Sequence, residues 1–187
     1  VRTLTWLFTP IVWLLERMTA PFVSKHAGPI TDETEIKLMA AIGHQEGIIE
    51  ADEAEMIRRV FRLNDTKASD IMTPRVALTA LPADKAIVEL REDILNFQHS
   101  RILVFDQDID HVVGIVLKYE LLMALLRESA EMTVGKLVRP VRFVSEGEPA
   151  DQLLQRFQST REHLAVVVDE YGGVSGVVTL EDVLEVI

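Results

Sequence analysis

Short apolar runs and amphipathic stretches alternate from residue 69 onward, and the same pattern occurs twice. The apolar run at 102–105 has a counterpart at 164–167, 62 residues later, and the run at 113–116 has one at 175–178. Short apolar runs that are bounded by turn residues are typical of buried strands. The repetition therefore predicts two related structural units.

Each unit is predicted to contain a short strand, a helix, two strands joined by a polar turn, and a second helix. Apolar residues at helical spacing follow Asp84 in the first unit and Pro149 in the second. The segment 71–74 leads into the first unit and has a counterpart at 137–140. One unit of about 60 residues buries too little surface to be stable alone. We therefore expect an α+β fold in which two β-α-β-β-α repeats, 69–130 and 131–187, pack sheet to sheet, the second repeat being truncated at its last helix.

Residues 28–68 form an acidic segment that we expect to be a helical linker in two pieces. Ala54, Ile57, Val60 and Phe61 share one helical face in its second half. Acidic side chains gather where this second helix is predicted to begin. They are compatible with a cation site, but a solvated face at a helix N-terminus is the favoured interpretation. This acidic cluster comprises Glu50, Asp52, Glu53 and Glu55.

Residues 1–27 differ from the rest because they are net positive and strongly apolar, with Trp6 and Trp13. Their apolar block is shorter than the roughly 20 residues that a membrane-spanning helix needs. Tryptophan and basic residues beside an aliphatic face are typical of a helix at a membrane interface, so we expect a juxtamembrane amphipathic segment. The alternative is a helix docked on a protein surface. Because the chain starts at Val1 and stops within a pattern at Ile187, we expect a fragment.

Composition removes several classes of function. The 187 residues carry 30 acidic and 19 basic side chains, a net charge of −11, so no nucleic-acid surface is expected. The lack of cysteine excludes disulfides and thiolate chemistry. No Walker A loop and no zinc-hydrolase histidine pair occurs, so we expect neither an enzyme nor a metal held by the protein. Asp106, Asp108 and Asp110 imitate a calcium loop, but His111 stands where that loop needs Gly, so a hairpin turn is favoured.

Chemistry is suggested by the stretch 176–182, GVVTLED, where a strand turns into a helix. Free backbone N–H groups and the positive end of the helix dipole gather there, which favours a phosphate-bearing ligand. Asp182 could accept hydrogen bonds from both hydroxyls of a ribose. The alternative is a capping box in which Thr179 and Asp182 only start the helix, and the spacing alone favours this cap.

Four further motifs accompany this stretch: 46–50 (EGIIE), 70–75 (DIMTPR), 99–101 (HSR) and 167–173 (VVDEYGG). Together they resemble the tandem cystathionine-β-synthase (CBS) domain pair of the CorC/cyclin-M family of magnesium and cobalt transporters, also called hemolysin-like proteins. The resemblance covers essentially the whole chain. In that family a four-helix membrane domain precedes the CBS pair.

The resemblance implies an adenosine nucleotide, ATP or AMP, held with Mg²⁺ in the cleft between the repeats. In this role Arg101 would offer a fork of donors to phosphate, Asp182 would bind the ribose, and His99 would flank the adenine. The alternative for Arg101 is a surface ion pair, and for Thr73 a turn before Pro74. The nucleotide-binding residues that the resemblance implies are Thr73, His99, Ser100, Arg101, Thr179 and Asp182.

The first repeat departs from the family pattern at the position that mirrors Thr179. Leu117 stands where the hydroxyl residue belongs, and Glu120 stands where the Asp belongs. Because a leucine side chain cannot donate to a phosphate, the symmetry-related second site is expected to be empty, with one nucleotide per chain.

We therefore expect a cytosolic regulatory module that binds nucleotide and controls a membrane magnesium and cobalt transporter, at the cytoplasmic face of the cell membrane. The fragment itself is expected to be soluble or peripheral, to form a homodimer through its CBS modules, and to contact the membrane domain of the same protein. Two alternatives stay open. The module is a dimerisation platform with a vestigial nucleotide site, or it is a regulatory domain attached to an enzyme.

Overall fold

The computed structural model describes residues 32–127 and 132–187. Two compact units are distinguished, residues 1–39 and residues 40–187. In the described part of the first unit, Glu33 and Lys37 form an ion pair one helical turn apart. The predicted juxtamembrane segment, 1–27, lies outside the described residues. No helix within the described ranges is both long and apolar enough to cross a membrane.

The helices and strands follow the chain in a regular order. They are α1 (Glu33–Gln45), α2 (Ala51–Asp65), α3 (Ala68–Ile71), β1 (Thr73–Pro74), β2 (Ala80–Pro82), α4 (Arg91–Asn96), β3 (Arg101–Phe105), β4 (Val112–Leu117), α5 (Lys118–Leu126), β5 (Arg142–Ser145), α6 (Ala150–Thr160), β6 (Leu164–Val168), β7 (Val174–Thr179) and α7 (Leu180–Glu185).

The linker contains the two predicted helices, α1 and α2. Helix α2 begins with a capping box in which Glu50 and Glu53 satisfy each other's backbone N–H groups. Hydrogen bonds from Arg58 and Arg59 lower the pKa of the Glu55 carboxyl. Among the residues described, no group of His, Asp and Glu could hold a metal ion. Glu50 and Glu53 thus cap the start of α2, and Glu55 binds Arg58 and Arg59 within it.

The two repeats have the predicted order of elements. In the first repeat β2 pairs parallel to β3, and β3 pairs antiparallel to β4. In the second repeat β5, β6 and β7 pair in the same way. The helix predicted after Asp84 is divided into a 3-10 turn, Ile87–Leu90, and α4. The N–H of Ile87, at the start of the 3-10 turn, donates to the carbonyl of Met132, 3.0 Å away.

The predicted match between β3 and β6 is wrong by one residue. Ile102 lies opposite Val116, and Ala165 lies opposite Val178, so Ile102 corresponds to Ala165, 63 residues later. Strands β4 and β7 keep the spacing of 62 residues. The difference arises in the hairpin turns, because the turn at 106–111 is one residue longer than the turn at 169–173.

The segments that lead into the repeats are exchanged between the sheets. Strand β1 pairs with β7 of the second repeat, with Thr73 opposite Val177. In the same way Arg139 bridges to Ile115 of the first repeat. A Cβ on Gly176 would collide with the carbonyl oxygen of Thr73, so glycine permits the close approach of β1. Thr73 is thereby placed beside the second repeat although it belongs to the first.

The hydrophobic core has three layers. The middle layer lies between the two sheets and joins buried residues of both, which confirms the sheet-to-sheet packing: Leu103, Val112, Val166, Val174 and Val177. The outer layers pack each sheet against its helices. Leu63 of α2 belongs to the outer layer of the second repeat, so the linker helix packs on that repeat.

Candidate functional site

A cleft opens where β1, the start of β3 and the end of β7 meet, and its cavity volume is about 240 Å³. Five of the six residues that the sequence predicted line it. The sixth, Asp182, does not. The lining consists of Thr73, Ala77, Leu78, Thr79, His99, Ser100, Arg101, Leu103, Leu164, Val177, Thr179 and Glu181.

The position of Thr73 follows from the exchanged strand. Its place opposite Val177 sets it two residues from Thr179 along β7. The alternative of a simple turn before Pro74 is incorrect, since both residues form β1. Thr73 and Thr179 come from different repeats, so the cleft exists only when the repeats are packed together.

Arg101 is the first residue of β3 and lies opposite Leu117. Within residues 32–127 and 132–187, Arg101 forms no ion pair, so the alternative of a surface ion pair is not supported. Arg75, Arg139 and Arg142, in contrast, each bind a carboxylate. The Arg101 guanidinium is therefore available to an anion in the cleft.

Thr179 and Asp182 form the capping box that the spacing favoured. The Thr179 N–H and hydroxyl both donate to Asp182 Oδ2, at 2.7 Å each. The Asp182 N–H donates to Thr179 Oγ1 at 3.2 Å. These bonds turn the carboxylate toward a separate pocket lined by Asp70 and Glu185. Among the described residues the carboxylate accepts hydrogen bonds at Oδ2 only, and its role toward a ribose stays a prediction.

Sequence reasoning missed Glu181, which lines the cleft. The residue lies between Leu180 and Asp182 in the first turn of α7, so only the direction of that turn distinguishes it from its neighbours. Its carboxylate adds negative charge to a cleft whose other charged group is Arg101. A phosphate there would be attracted by Arg101 and repelled by Glu181.

The positions that mirror this cleft in the other half of the module carry different side chains. Arg139 takes the place of Thr73, and Glu120 takes the place of Asp182. These two side chains form an ion pair through Arg139 Nη2 and Glu120 Oε1. Leu117 and Leu164 stand where the first cleft has Thr179 and Arg101. Neither leucine offers a hydroxyl or a guanidinium, and within the described ranges Arg139 is paired with Glu120.

At another edge, polar contacts join the hairpin turn of the first repeat to Arg75 and to the start of β7. Arg75 donates to both carboxylate oxygens of Asp110, with Nη2 at 2.7 Å from Oδ2. The N–H of Val174 donates to Asp110 Oδ1 at 2.9 Å. These bonds, that from Arg75 first, lower the pKa of the Asp110 carboxyl. Asp108 binds the N–H of Asp110 and the His111 ring, so the calcium-like stretch is a hairpin turn as predicted.

Two family profiles match the sequence. One, described as "CBS domain", matches residues 134–187. The other, described as "Cyclin M transmembrane N-terminal domain", matches residues 1–53. The second match includes the linker helix α1.

Curated relatives resemble the chain over most of its length. UPF0053 protein sll1254 of Synechocystis is 54% identical, over 100% of this chain and 54% of its own length. The magnesium and cobalt efflux protein CorC of Salmonella typhimurium is 34% identical, over 87% of this chain and 55% of its own length. The chain therefore spans about half the length of the curated relatives it matches.

Solved structures share the fold. The CBS domain of the bacterial CNNM/CorC family Mg²⁺ transporter is 36% identical with a TM-score of 0.78, covering 83% of this chain and 95% of that one. Its complex with ATP gives 36% identity and a TM-score of 0.69, over 73% of this chain and 96% of that one. A CBS-domain pair with bound AMP from Klebsiella pneumoniae is 28% identical with a TM-score of 0.57, covering 64% of this chain and 96% of that one.

The family of these relatives is one of transporters rather than an enzyme class. The two packed sheets agree with the CBS-domain profile over residues 134–187 and with the solved CBS domains. This chain belongs to the CNNM/CorC family of Mg²⁺ transporters and comes from the region that contains its CBS domains.

Proposed function

We propose that this module binds an adenosine nucleotide, ATP in particular, and thereby regulates a membrane transporter of magnesium or cobalt ions. The observation that carries the proposal is the cleft between the repeats, where several hydroxyls and an arginine with no ion pair among the described residues lie beside apolar side chains. A similar CBS domain of the family forms a complex with ATP, and a more distant pair binds AMP.

The lining of the cleft fits the parts of such a ligand. Leu78, Leu103 and Val177 offer apolar surface for a base. Ser100 and Arg101 supply a hydroxyl and a guanidinium that suit a phosphate. We therefore assign the nucleotide to this cleft.

Mg²⁺ is proposed to arrive with the nucleotide. In the described part of the chain no cluster of His, Asp and Glu could hold the ion alone. Glu181, however, places a carboxylate in the cleft, where a cation bound to the phosphates would neutralise its repulsion. The positive charge of Mg²⁺ would then offset the negative charges of both the phosphates and the Glu181 carboxylate.

The regulated part is proposed to be a membrane domain of the same full-length protein. Residues 1–53 match the membrane-domain profile, and the linker helix α2 packs on the second repeat through Leu63. A structural change in the cleft on nucleotide binding would therefore reach the membrane domain through the linker.

From the family resemblance we also propose that the module lies at the cytoplasmic face and forms a homodimer. Light scattering of the purified chain tests the homodimer.

A second function is favoured by one observation. Thr179 and Asp182 satisfy each other in the capping box, so neither side chain needs a ligand. If they serve only the helix, the cleft is vestigial and the module is a platform for dimerisation.

Calorimetry and thermal unfolding of the chain with ATP, ADP, AMP and GTP, each with Mg²⁺, separate the two functions. We expect adenosine nucleotides to bind and to raise the melting temperature, because a ligand that binds only the folded state stabilises it. GTP is the matched control for a triphosphate without adenine. Absence of binding by all three adenosine nucleotides, with a stable dimer, would favour the platform.

A further inference from the structure

A second cleft adjoins the first and has a cavity volume of about 360 Å³. His99 and Ser100 line both clefts, so the two clefts lie side by side. The first cleft, at about 240 Å³, is smaller than the roughly 300–1,000 Å³ of typical small-molecule sites, so a bound nucleotide would extend beyond it. A ligand whose base lies in the first cleft therefore has room to extend past Ser100 into the second.

Lys118 supplies the second cleft with a positive charge held in place. Its N–H donates to the carbonyl of Ser100 at 2.9 Å, which ties it to a residue that lines both clefts. Its Nζ donates to the carbonyls of Phe97 and Leu95 at the C-terminal end of α4. The carbonyls at a helix C-terminus favour a cation. An ammonium has three N–H donors, so one remains for an anion in the cleft.

The fold itself does not require a lysine here. Leu180 mirrors Lys118 in the second repeat, and its N–H donates to the carbonyl of His163 at 3.2 Å in the same way. The backbone bond is thus made by a leucine as well as by a lysine. Among the described residues that line the second cleft none is acidic, on a chain with a net charge of −11. The ammonium of Lys118 therefore has no acidic side chain beside it among the described residues of this cleft.

We propose that the second cleft binds the terminal phosphates of a nucleotide whose adenosine part lies in the first cleft, and that Lys118 makes the module select ATP over AMP. This inference rests on the proposed function and adds its specificity. Arg101 would contact the phosphate nearest the ribose, which AMP also has. Lys118 would contact only the phosphates that AMP lacks.

Equilibrium binding of ATP and AMP to wild type, Lys118→Met and Lys118→Arg tests this proposal. Methionine keeps a long apolar side chain and removes the charge, whereas arginine keeps the charge. We expect Lys118→Met to bind ATP about tenfold more weakly and AMP within about twofold of wild type, as for loss of one charged hydrogen bond. Lys118→Arg should retain the preference. Lys136→Met removes an exposed charge outside both clefts and should behave as wild type.

The possible failures are distinguishable. A wild-type chain that binds no adenosine nucleotide contradicts the proposed function and this inference together. A wild-type chain that binds ATP and AMP equally well contradicts the inference alone. Equal losses for ATP and AMP in Lys118→Met would mean that the lysine only holds α4 in place, and unchanged ATP affinity would mean that it does not touch the ligand.

Discussion

Arg139 and Glu120 form an ion pair in the half of the module that mirrors the candidate site. They take the places of Thr73 and Asp182, and the second oxygen of Glu120, Oε2, is buried without a hydrogen-bond partner in the described part of the chain. The two halves of the module thus share a backbone arrangement and differ in their side chains. Among the described residues, one half has hydroxyls and a guanidinium without an ion-pair partner, whereas the equivalent positions of the other half hold the ion pair of Arg139 and Glu120.

This asymmetry predicts one nucleotide per chain. Removal of the ion pair in an Arg139→Ala, Glu120→Ala variant should leave the stoichiometry at one, because Leu117 and Leu164 still lack the groups that bind phosphate. Because Arg139 is exposed and Glu120 is half-buried, the pair itself should contribute only about 1 kcal/mol to the free energy of unfolding. Calorimetric titration measures the stoichiometry, and two equivalent sites in the wild-type chain would contradict the prediction.

Arg101 is expected to dominate the affinity for every phosphate-bearing ligand. Replacement by methionine removes the guanidinium and keeps an apolar stem, so affinity for ATP and AMP should fall together by about 10- to 100-fold. The melting temperature without nucleotide should stay unchanged, since Arg101 has no ion-pair partner among the described residues. Arg161→Met, outside the cleft, is the matched control. Equal ATP affinity in Arg101→Met and wild type would remove Arg101 from the site.

The repeated architecture was predictable because apolar runs, turns and helical spacing recur along the chain. The register of β3 against β6 was not predictable from the apolar run alone. An uninterrupted run such as 102–105 has no alternation of polar and apolar residues to fix the register, and the turns differ in length by one residue.

The candidate site was predictable only in part. Thr73, Ser100, Arg101 and Thr179 were identified from motifs that resemble a family, and they do line one cleft. Glu181 and Lys118 were missed, because their positions depend on which way the first turn of α7 or α5 faces. The orientation of these helical turns depends on how the two repeats pack together, and local sequence patterns do not predict that packing.

Asp182 is predicted to have two roles, as a helix cap and as a ligand of the ribose. Loss of a cap costs about 0.5–2 kcal/mol, so Asp182→Ala should lower the free energy of unfolding by that amount. The same variant should also bind ATP more weakly. A comparison of ATP with 2′-deoxy-ATP separates the roles, because wild type should prefer ATP and Asp182→Ala should not. A variant that keeps the preference, or unaffected binding, would restrict Asp182 to the cap.

Because Glu181 lines the cleft, we expect Mg²⁺ to strengthen ATP binding. Without the ion, the Glu181 carboxylate and the phosphates repel each other; with it, their charges are bridged. In the presence of a chelator, Glu181→Gln should bind ATP about two- to fivefold more tightly than wild type, as for removal of one like charge near the surface. With Mg²⁺ the two proteins should differ less. Calorimetry under both conditions measures the effect, and equal wild-type affinity with Mg²⁺ and with chelator would reject the role of the ion.

The contact between Arg75 and Asp110 predicts a loss of stability in acid. Because the pKa of Asp110 is lowered in the folded chain, its ionised form stabilises the fold above the unfolded value of about 3.9. That contribution is lost as the pH falls through the lower, folded pKa. A double-mutant cycle with Arg75→Met and Asp110→Asn, measured by denaturant unfolding, should give a constant coupling from about pH 5 to 7 and a decreasing one below about pH 4. A coupling of the same size at pH 7 and in strong acid would show that the charge of Asp110 does not contribute to its contact with Arg75.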